Sequence, residues 1–347
     1  MAHKRFEALI SRAGLVVGAC LILGTAWPAA AGPTLDAVKR NGVVRCGVST
    51  GTAGMSQLDS QGRWQGFDAD LCRAVATAVF ASADKIQFVP LSAQQRFTAL
   101  QSGEVDVLIR TTALTLARDS TLGLSIAVPT FYTGQGFLVS KRLNAKSPMD
   151  LAGATICATQ GSEIERNISD YARLKNIKID TIPLDTPATV TAAFFSGRCD
   201  AISNDLANLH ANRLSAPNPN DYVVLPDIIA KETHGALVRV GDFEWMTLVR
   251  WSVMALIQAE EFGLTRANVA AARENSNDPK VRRFLGLIEN VGTGFGLPSS
   301  WAYEVVRQLG NYGEIFERHA GKGGLGMERG YNRLWSDGGL MISWLWQ

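Results

Sequence analysis

The sequence predicts an α/β protein with two lobes of like design, each a mainly parallel sheet flanked by helices, joined by a two-strand hinge. Short β-rich runs alternate with segments of helical periodicity, an order typical of parallel sheets with right-handed crossovers. The order occurs twice: residues 102–108 and 196–202 each combine a helix end, a Ser-Gly stop and a strand with aspartate at the same offset. Two further strands, at residues 136–140 and 235–240, connect the units.

The first unit contains three predicted strands with helices between them. The strands lie at residues 43–48, 88–91 and 105–109. Asp68 has the residue type and the position of an N-cap for the first intervening helix. Ser92 and Gln95 form a capping-box pattern before the second helix, which is predicted to end at Gly103.

The second unit repeats this layout. Its strands are predicted at residues 154–158, 177–182 and 199–202. Ser162 and Glu165 form another capping-box pattern at the start of a helix. Asp205 follows the third strand, at the carboxyl end of the sheet, which is where open α/β sheets bind ligands. Capping of the helix that starts near Leu206 is the alternative role for Asp205.

The two crossing strands divide the chain into lobes. Lobe 1 is predicted to comprise residues 32–138 and 238–347, and lobe 2 residues 139–237. A connection of two strands makes few contacts, so backbone changes on opening are expected at the ends of these elements. Lobe 1 includes a C-terminal helical extension after Phe262, which we expect to pack on that lobe; docking to a partner protein is the alternative.

Residues 1–31 have the features of an export signal. Basic residues precede an apolar stretch at 13–27, which is too short to span a bilayer comfortably, and small residues end at Ala31, the predicted cleavage position. A retained membrane anchor and lipid attachment at Cys20 are the alternatives, although the apolar run continues past Cys20. The signal predicts that the protein is periplasmic.

The charge of the mature chain excludes several functions. Removal of residues 1–31 leaves 31 basic and 31 acidic residues, so there is no electrostatic footprint for nucleic acid or anionic lipid. The most apolar later segment, 245–259, contains Arg250 and is predicted to be a buried helix. The sequence contains no P-loop, HExxH, GxSxG or dinucleotide-binding motif, and we predict neither a cofactor nor a metal.

Four cysteines follow the predicted cleavage position, and an even number in an exported chain indicates disulfides. They lack zinc-site spacing, and they allow three pairings. Cys46 ends the first strand and Cys72 lies one turn into the adjacent helix, whereas Cys157 and Cys199 lie on strands of the second sheet. We predict Cys46–Cys72 and Cys157–Cys199, because one bridge per lobe leaves the hinge free.

Three motifs carry a family resemblance. Residues 66–71 read GFDADL, residues 97–106 read FTALQSGEVD and residues 115–118 read TLAR. These resemble the GFDxDL marker, the segment around the third strand and the TxxR ligand motif of amino-acid-binding periplasmic proteins, solute-binding protein family 3. The chain is most similar to the general L-amino acid-binding branch of polar amino acid ABC importers, which also shows the four cysteines and the GNYGEIFER segment at 310–318.

The resemblance implies a type II periplasmic-binding-protein fold and a function without catalysis. A monomer would capture an L-amino acid between its lobes and deliver it to the membrane permease subunits of an ABC importer. No nucleic-acid partner is expected.

The resemblance places the ligand carboxylate on Arg118, assisted by backbone N–H groups and hydroxyls at positions 113 and 111 and by Thr115. Here those two positions are Ala113 and Thr111. A guanidinium can bind a carboxylate through two parallel charge-assisted hydrogen bonds. The resemblance also matches Asp205 to the acidic residue that binds the ligand ammonium. Without the family pattern, Arg118 reads as a surface arginine in a loop.

Other positions bear on the ligand. Gly161 and Ser162 begin a lobe 2 helix, where free N–H groups and the helix dipole favour a carboxylate; the capping box is the alternative. Met55 stands where the branch usually has an aromatic platform, and Ala113 where it has a hydroxyl. Glu163 often is threonine in the family, and its carboxylate would repel a ligand carboxylate unless it points to solvent or meets a basic side chain.

Two other functions stay open. A cyclohexadienyl or arogenate dehydratase-like enzyme on the same fold needs an acid–base group in the cleft, and Glu163 and His234 are the candidates. A binding protein with altered or lost ligand specificity is suggested by Ala113, Met55 and Glu163.

Overall fold

The fold is described by a computed structural model of residues 32–347, so the predicted signal peptide lies outside the described residues. Strands and helices alternate along the chain, and the α/β prediction is confirmed. The strands are β1 (Val44–Ser49), β2 (Gln57–Leu58), β3 (Trp64–Gln65), β4 (Ile86–Leu91), β5 (Val107–Leu108), β6 (Leu124–Ser140), β7 (Thr155–Thr159), β8 (Asp180–Leu184), β9 (Ala201–Asp205), β10 (Tyr222–Val224) and β11 (Ala230–Arg239). The α-helices are α1 (Pro33–Asn41), α2 (Phe67–Phe80), α3 (Gln95–Ser102), α4 (Leu116–Thr121), α5 (Glu163–Lys175), α6 (Pro187–Phe195), α7 (Leu206–Leu214), α8 (Phe243–Glu261), α9 (Val269–Asn275), α10 (Pro279–Phe284), α11 (Trp301–Leu309) and α12 (Tyr312–His319).

One mixed sheet runs through both lobes in the strand order β4-β1-β5-β11-β6-β9-β7-β8, with β10 paired to β6. We use lobe 1 for the end that carries β4, β1 and β5, and lobe 2 for the end that carries β9, β7 and β8. Neighbouring strands are parallel within each triplet. In both triplets the first strand along the chain lies in the middle, so the predicted repeat of the unit is confirmed by strand order. β2 and β3 form a separate hairpin.

Two antiparallel strands, β6 and β11, cross between the lobes. They pair from Leu124 and Arg239 to Gln135 and Ala230, and β6 then continues beside β9 of lobe 2. β5 of lobe 1 pairs with β11 on the other side. One continuous sheet therefore joins the lobes, and the residue limits given above for each lobe stay a prediction.

The crossing strands are longer than the sequence predicts. The runs at 136–140 and 235–240 belong to strands that begin earlier in the chain, so both predicted starts are wrong. Pro129 makes the first part of β6 look unlike a strand in the sequence, because proline cannot donate a backbone hydrogen bond. In the structure Pro129 lies next to a β-bulge, a place where strands tolerate proline. Gly235 is required at this bulge, because a Cβ there would lie 2.7 Å from the carbonyl oxygen of Val128.

The largest core fills lobe 1 and includes the C-terminal extension. Phe67 of α2 meets Phe131 of β6 and Tyr312 of α12 edge-to-face, with ring centroids 5.3 and 5.4 Å apart. Near the chain end, Trp346 packs against Phe284 of α10 with centroids 4.9 Å apart. The apolar segment predicted as a buried helix is α8, which lies in this core, and among residues 32–347 no helix is long and apolar enough to cross a membrane.

Lobe 2 has two smaller cores, one on each face of its sheet. Phe137 of β6 and Ile156 of β7 face the cluster that contains α5, whereas their neighbours Leu138 and Cys157 face the cluster that contains α6 and α7. Successive strand residues point to opposite faces, so a strand covered on both sides is apolar throughout. This explains why the lobe 2 strands are continuous apolar runs.

Both predicted disulfides are present. Cys46 of β1 bonds Cys72 of α2, with Cα atoms 6.1 Å apart. Cys157 of β7 bonds Cys199, which lies just before β9, with Cα atoms 5.7 Å apart. Each bridge joins elements of one lobe, so neither bridge ties the two lobes together.

Two predicted helix starts have different outcomes. The backbone N–H groups of Ser92 and Gln95 donate to each other's side chains at 3.3 and 3.2 Å, which confirms that capping box. The N-cap prediction for Asp68 is wrong, because Asp68 is the second residue of α2. Its buried carboxylate accepts the backbone N–H of Thr111 at 2.8 Å, so it holds the segment that follows β5.

Candidate ligand-binding site

A polar cleft lies between the lobes, beside the crossing strand β11. Lobe 1 contributes α3, the end of β5 and α4, and lobe 2 contributes the start of α5 and the junction of β9 with α7. These are the carboxyl ends of the parallel strands, as expected for a ligand site of an open α/β sheet. The predicted residues that line the cleft are Thr111, Ala113, Arg118, Ser162 and Asp205.

Arg118 lies in the first turn of α4 and is 6% exposed. Its Nη1 donates to the carbonyl oxygen of Ala113 at 2.5 Å, and its guanidinium carbon lies 5.2 Å from the ring centroid of Phe97. Burial lowers the pKa of Arg118, and the negative charge of Glu163 opposes this effect. The guanidinium is therefore held in place at the cleft wall, with its charge directed toward lobe 2.

Glu163, the first residue of α5, reaches across the cleft. Its Oε2 lies 3.5 Å from Nη2 of Arg118, and its Oε1 lies 3.7 Å from Nε of Arg166. The carboxylate of Glu163 therefore contacts two basic side chains. The sequence analysis named such a contact as one way for Glu163 to avoid repelling a ligand carboxylate. Because Arg118 belongs to lobe 1, this ion pair connects the two lobes.

Asp205 ends β9 and is 2% exposed. Its Oδ1 accepts the backbone N–H of Asn208 at 3.1 Å, and its Oδ2 accepts the side-chain amide of the same residue at 2.5 Å. Asp205 therefore is the N-cap of α7, which was its alternative predicted role, and it also lines the cleft. Burial raises the pKa of Asp205 above its ordinary value, and a positive charge on His234 opposes this.

The N–H groups of the two residues just before α5 already have partners. The N–H of Gly161 donates to Glu165 at 3.3 Å, and the N–H of Ser162 donates to the carbonyl oxygen of Thr159 at 3.3 Å. The hydroxyl of Ser162 donates to the same carbonyl, so the predicted capping box with Glu165 does not form. The N–H groups of Gly161 and Ser162 are thus engaged, Gly161 lies in the adjoining outer groove, and a ligand-binding role for these two residues stays a prediction.

Met55 and Thr115 support the cleft without lining it. Met55 is fully buried in the lobe 1 core, its carbonyl oxygen accepts the N–H of Asp68 at 2.9 Å, and a ligand contact of Met55 stays a prediction. The hydroxyl of Thr115 caps α4 by accepting the N–H of Arg118 at 3.3 Å. Thr111 lines the cleft with a left-handed backbone, φ 46°, which its hydrogen bond to Asp68 holds.

Sequence reasoning missed three charged residues of the cleft: Arg96 on α3, Arg110 just after β5, and Glu232 on β11. Arg96 and Arg110 are 3% and 4% exposed. A signal existed for Arg110, because it directly follows a buried strand at the same sheet edge as the strand that ends at Asp205. Nothing local marks Arg96, which lies at a helical position where arginine is usually exposed.

Asp205, Glu232 and His234 form an acidic cluster. All three are buried, and their ligand atoms lie within 4.8 Å of one another, a donor set that can hold a metal ion or an ammonium group. Burial lowers the pKa of His234, but the carboxylate of Glu232, 3.4 Å from its Nε2, and the charge of Asp205 raise it above its ordinary value overall. The cluster therefore favours positive charge at this end of the cleft.

The sequence matches the bacterial extracellular solute-binding proteins, family 3, over residues 44–263. The chain belongs to this family. It is 45% identical, over 99% of both chains, to the general L-amino acid-binding periplasmic protein of Rhizobium johnstonii. It is 41% identical, again over 99% of both, to the glutamate/glutamine/aspartate/asparagine-binding protein of Rhodobacter capsulatus.

Among solved structures, this family 3 protein is similar to an ABC transporter periplasmic binding protein from Brucella ovis with glutathione bound. The identity is 44% and the TM-score 0.88, over 90% of this chain and 99% of that one. The family resemblance predicted from the motifs and the two-lobed fold class are thereby confirmed.

Proposed function

We propose that this family 3 solute-binding protein captures L-amino acids in the periplasm and delivers them to the membrane permease of an ABC importer. The observation that carries the proposal is a buried arginine and a buried aspartate, Arg118 and Asp205, lining one cleft from opposite lobes. Relatives of nearly full-length similarity have amino-acid-binding names. The periplasmic location rests on the export signal at residues 1–31 and on those relatives.

The two charged groups of an α-amino acid are complementary to Arg118 and Asp205. Its carboxylate pairs with the guanidinium of Arg118, which the bond to Ala113 and the Phe97 ring hold in place. Its ammonium pairs with Asp205, and the carboxylate of Glu232 lies beside it. Because the two ends of one ligand contact different lobes, the closed form gains contacts that an open form lacks, and ligand binding favours closure.

The surroundings of the acid–base candidates favour binding over dehydratase chemistry. His234 is 1% exposed, is not among the residues that line the cleft, and stacks on Phe131 with ring centroids 6.2 Å apart. Glu163 is engaged in ion pairs with Arg118 and Arg166. A general acid or base needs hydrogen-bond access to the substrate, which these contacts restrict.

A thermal-shift screen of the mature protein tests the proposal. We expect L-amino acids to raise the melting temperature, because a ligand that binds the folded state stabilises it. The D-enantiomer of each hit is the matched control and should produce a much smaller shift, since with its carboxylate and ammonium held by the two lobes its side chain would point to the opposite side of the cleft. The proposal fails if no L-amino acid shifts the melting temperature, or if prephenate or arogenate is converted to product.

A further inference from the structure

We infer that Asp205, Glu232 and His234 form a binding site for a divalent transition-metal ion, Zn²⁺ above all, and that this ion and the ligand ammonium exclude each other. Zinc binding itself is independent of the function proposed above, whereas the exclusion rests on it. The sequence predicts no metal, because the ligands come from two strands that are distant along the chain and match no metal-binding motif.

Two strands bring the three ligands together at the cleft. Glu232 and His234 are two residues apart on β11, so the alternation of a strand places both side chains on one face. Asp205 ends β9 in lobe 2. The ligand atoms of all three residues lie within 4.8 Å of one another. A metal ion among them would therefore connect lobe 2 to a crossing strand.

The two ligands on β11 have polar atoms that are buried without partners. His234 is 1% exposed, and neither of its ring nitrogens has a hydrogen-bond partner among residues 32–347. Glu232 is 7% exposed, and its Oε1 also lacks a partner in this part of the chain. Buried polar atoms are nearly always hydrogen-bonded, so these atoms indicate a ligand that arrives from solution. A histidine nitrogen beside carboxylate oxygens is a donor set that zinc binds.

The separation between His234 and Glu232 fits a shared metal ion better than a direct hydrogen bond. His234 Nε2 lies 3.4 Å from Glu232 Oε2. A direct N–H···O bond has a length of about 2.9 Å, whereas two ligands of a tetrahedral zinc ion, each about 2.1 Å from it, lie about 3.4 Å apart. The ring of Phe131 stacks on His234 with centroids 6.2 Å apart and holds the imidazole in this orientation.

The charges around the cluster favour a divalent cation. Asp205, Glu232 and the nearby Asp68 place three negative charges around the single imidazole of His234. A ligating histidine is neutral, so a bound ion supplies the positive charge that a proton on His234 supplies otherwise. The mixture of imidazole nitrogen and carboxylate oxygen suits Zn²⁺, whereas Ca²⁺ and Mg²⁺ prefer oxygen ligands alone.

The carboxylate side of the site opens to the cleft. Asp205 and Glu232 line the cleft, whereas His234 is not among the lining residues. Three protein ligands leave the fourth position of a tetrahedral ion open, and water or another ligand can fill it from the cleft. The ammonium of an amino acid would pair with the same two carboxylates. The ion and the amino acid therefore compete for this end of the cleft.

Equilibrium dialysis of the mature protein against ZnCl₂ tests the site. The protein carries no histidine tag and is first dialysed against EDTA. We expect one tightly bound zinc ion per chain, which excess Ca²⁺ or Mg²⁺ does not displace. His234→Gln and Glu232→Gln should each weaken zinc binding by about tenfold or more, because even the loss of a residue that only orients a metal ligand has an effect of that size. His210→Gln, at a histidine of α7 outside the cluster, is the matched control and should leave zinc binding unchanged.

The exclusion is measured by repeating the dialysis with an amino acid that binds the protein. At saturation, the L-enantiomer should raise the apparent Kd for zinc by about tenfold or more, because two ligands that exclude each other weaken each other's binding. The D-enantiomer is the matched control. It chelates zinc in solution as well as the L-enantiomer does, but it binds the protein much less.

The outcomes separate the site from the exclusion and from the proposed function. Absence of zinc binding, or zinc binding that neither Glu232→Gln nor His234→Gln weakens, overturns the site. Should His234→Gln not fold, Glu232→Gln decides, since it keeps the shape of the side chain. Equal effects of the two enantiomers overturn the exclusion. A protein that binds zinc at this cluster but no amino acid overturns the proposed function and supports the metal site.

Discussion

The two ends of the cleft differ in how far the protein itself satisfies their charges. At the carboxylate end, Asp205 accepts two hydrogen bonds from Asn208 and lies beside His234. At the guanidinium end, Arg96 and Arg110 have no counter-ion within salt-bridge distance among residues 32–347, and Arg118 has one, Glu163, at 3.5 Å.

This difference indicates where a ligand contributes most. The Asp205 carboxylate is held by Asn208 before a ligand arrives, so an ammonium group adds to interactions that already exist there, whereas Glu232 Oε1 has no hydrogen-bond partner among residues 32–347. The guanidinium end is complete only when an anion enters, because buried cations without partners are unfavourable. Substitutions at the guanidinium end should therefore have the larger effects on affinity.

The largest effect is expected for Arg118→Ala. Truncation of one partner in a buried, hydrogen-bonded charge pair costs about 2–5 kcal/mol, so affinity for any amino acid should fall by at least about 30-fold in calorimetry. Arg142→Ala, at an exposed arginine of lobe 2, is the control and should bind normally. Unchanged affinity in Arg118→Ala, with a normal melting curve, would show that the carboxylate is bound elsewhere.

Removal of a disulfide should change stability without changing the cleft. Cys157→Ala/Cys199→Ala and Cys46→Ala/Cys72→Ala should each lower the free energy of unfolding by about 2–4 kcal/mol in urea titrations, since each bridge restricts the unfolded chain. Amino-acid affinity below the unfolding transition should stay the same, because neither bridge links the lobes. A large loss of affinity in either folded variant would contradict the independence of the cleft from the bridges.

The sequence was sufficient for features that depend on neighbouring residues. The repeated unit and the cysteine pairing follow from chain order, and the arginine of the TxxR motif follows from the family resemblance. Tertiary contacts decide the rest. Met55 lies in a glycine-containing polar loop, yet the loop folds back so that the Met55 carbonyl caps α2 through Asp68.

The burial of Arg96 also could not be predicted from neighbouring residues. Its sequence position is that of an ordinary helical arginine, and only the packing of α3 against the closed cleft makes it buried. The crossing strands were underestimated because Pro129 interrupts β6, and a bulge in the partner register accommodates it. Burial of charge and tolerance of proline both depend on elements distant in sequence.

Asp205→Asn tests the carboxylate end with its helix cap preserved. Asparagine caps helices about as well as aspartate, so the stability of α7 should hardly change. Loss of the charge should weaken binding by about tenfold, equally for acidic and neutral amino acids, because the ammonium is common to all of them. A change in the order of preferred side chains, measured in parallel titrations, would instead place Asp205 against the ligand side chain.

The smallest effect is expected for Asp70, a carboxylate that is paired with basic side chains of the protein itself. It serves as the comparison for the cleft arginines that lack such partners. Burial raises the pKa of Asp70, but hydrogen bonds and positive charges from His319 and Arg318 outweigh burial and lower it to about 2. His319 Nε2 lies 2.7 Å and Arg318 Nη2 2.8 Å from the same Asp70 oxygen.

Because this pKa is below the unfolded value of 3.8, the stabilisation is present above about pH 4 and is lost as pH falls toward 2. Between pH 5 and pH 3 the difference in unfolding free energy between the native protein and Asp70→Asn should shrink by about 1 kcal/mol. Urea titrations at both pH values measure it. A constant difference would mean that the Asp70 carboxylate has an ordinary pKa, and that the contrast between satisfied and unsatisfied charges is smaller than the contacts indicate.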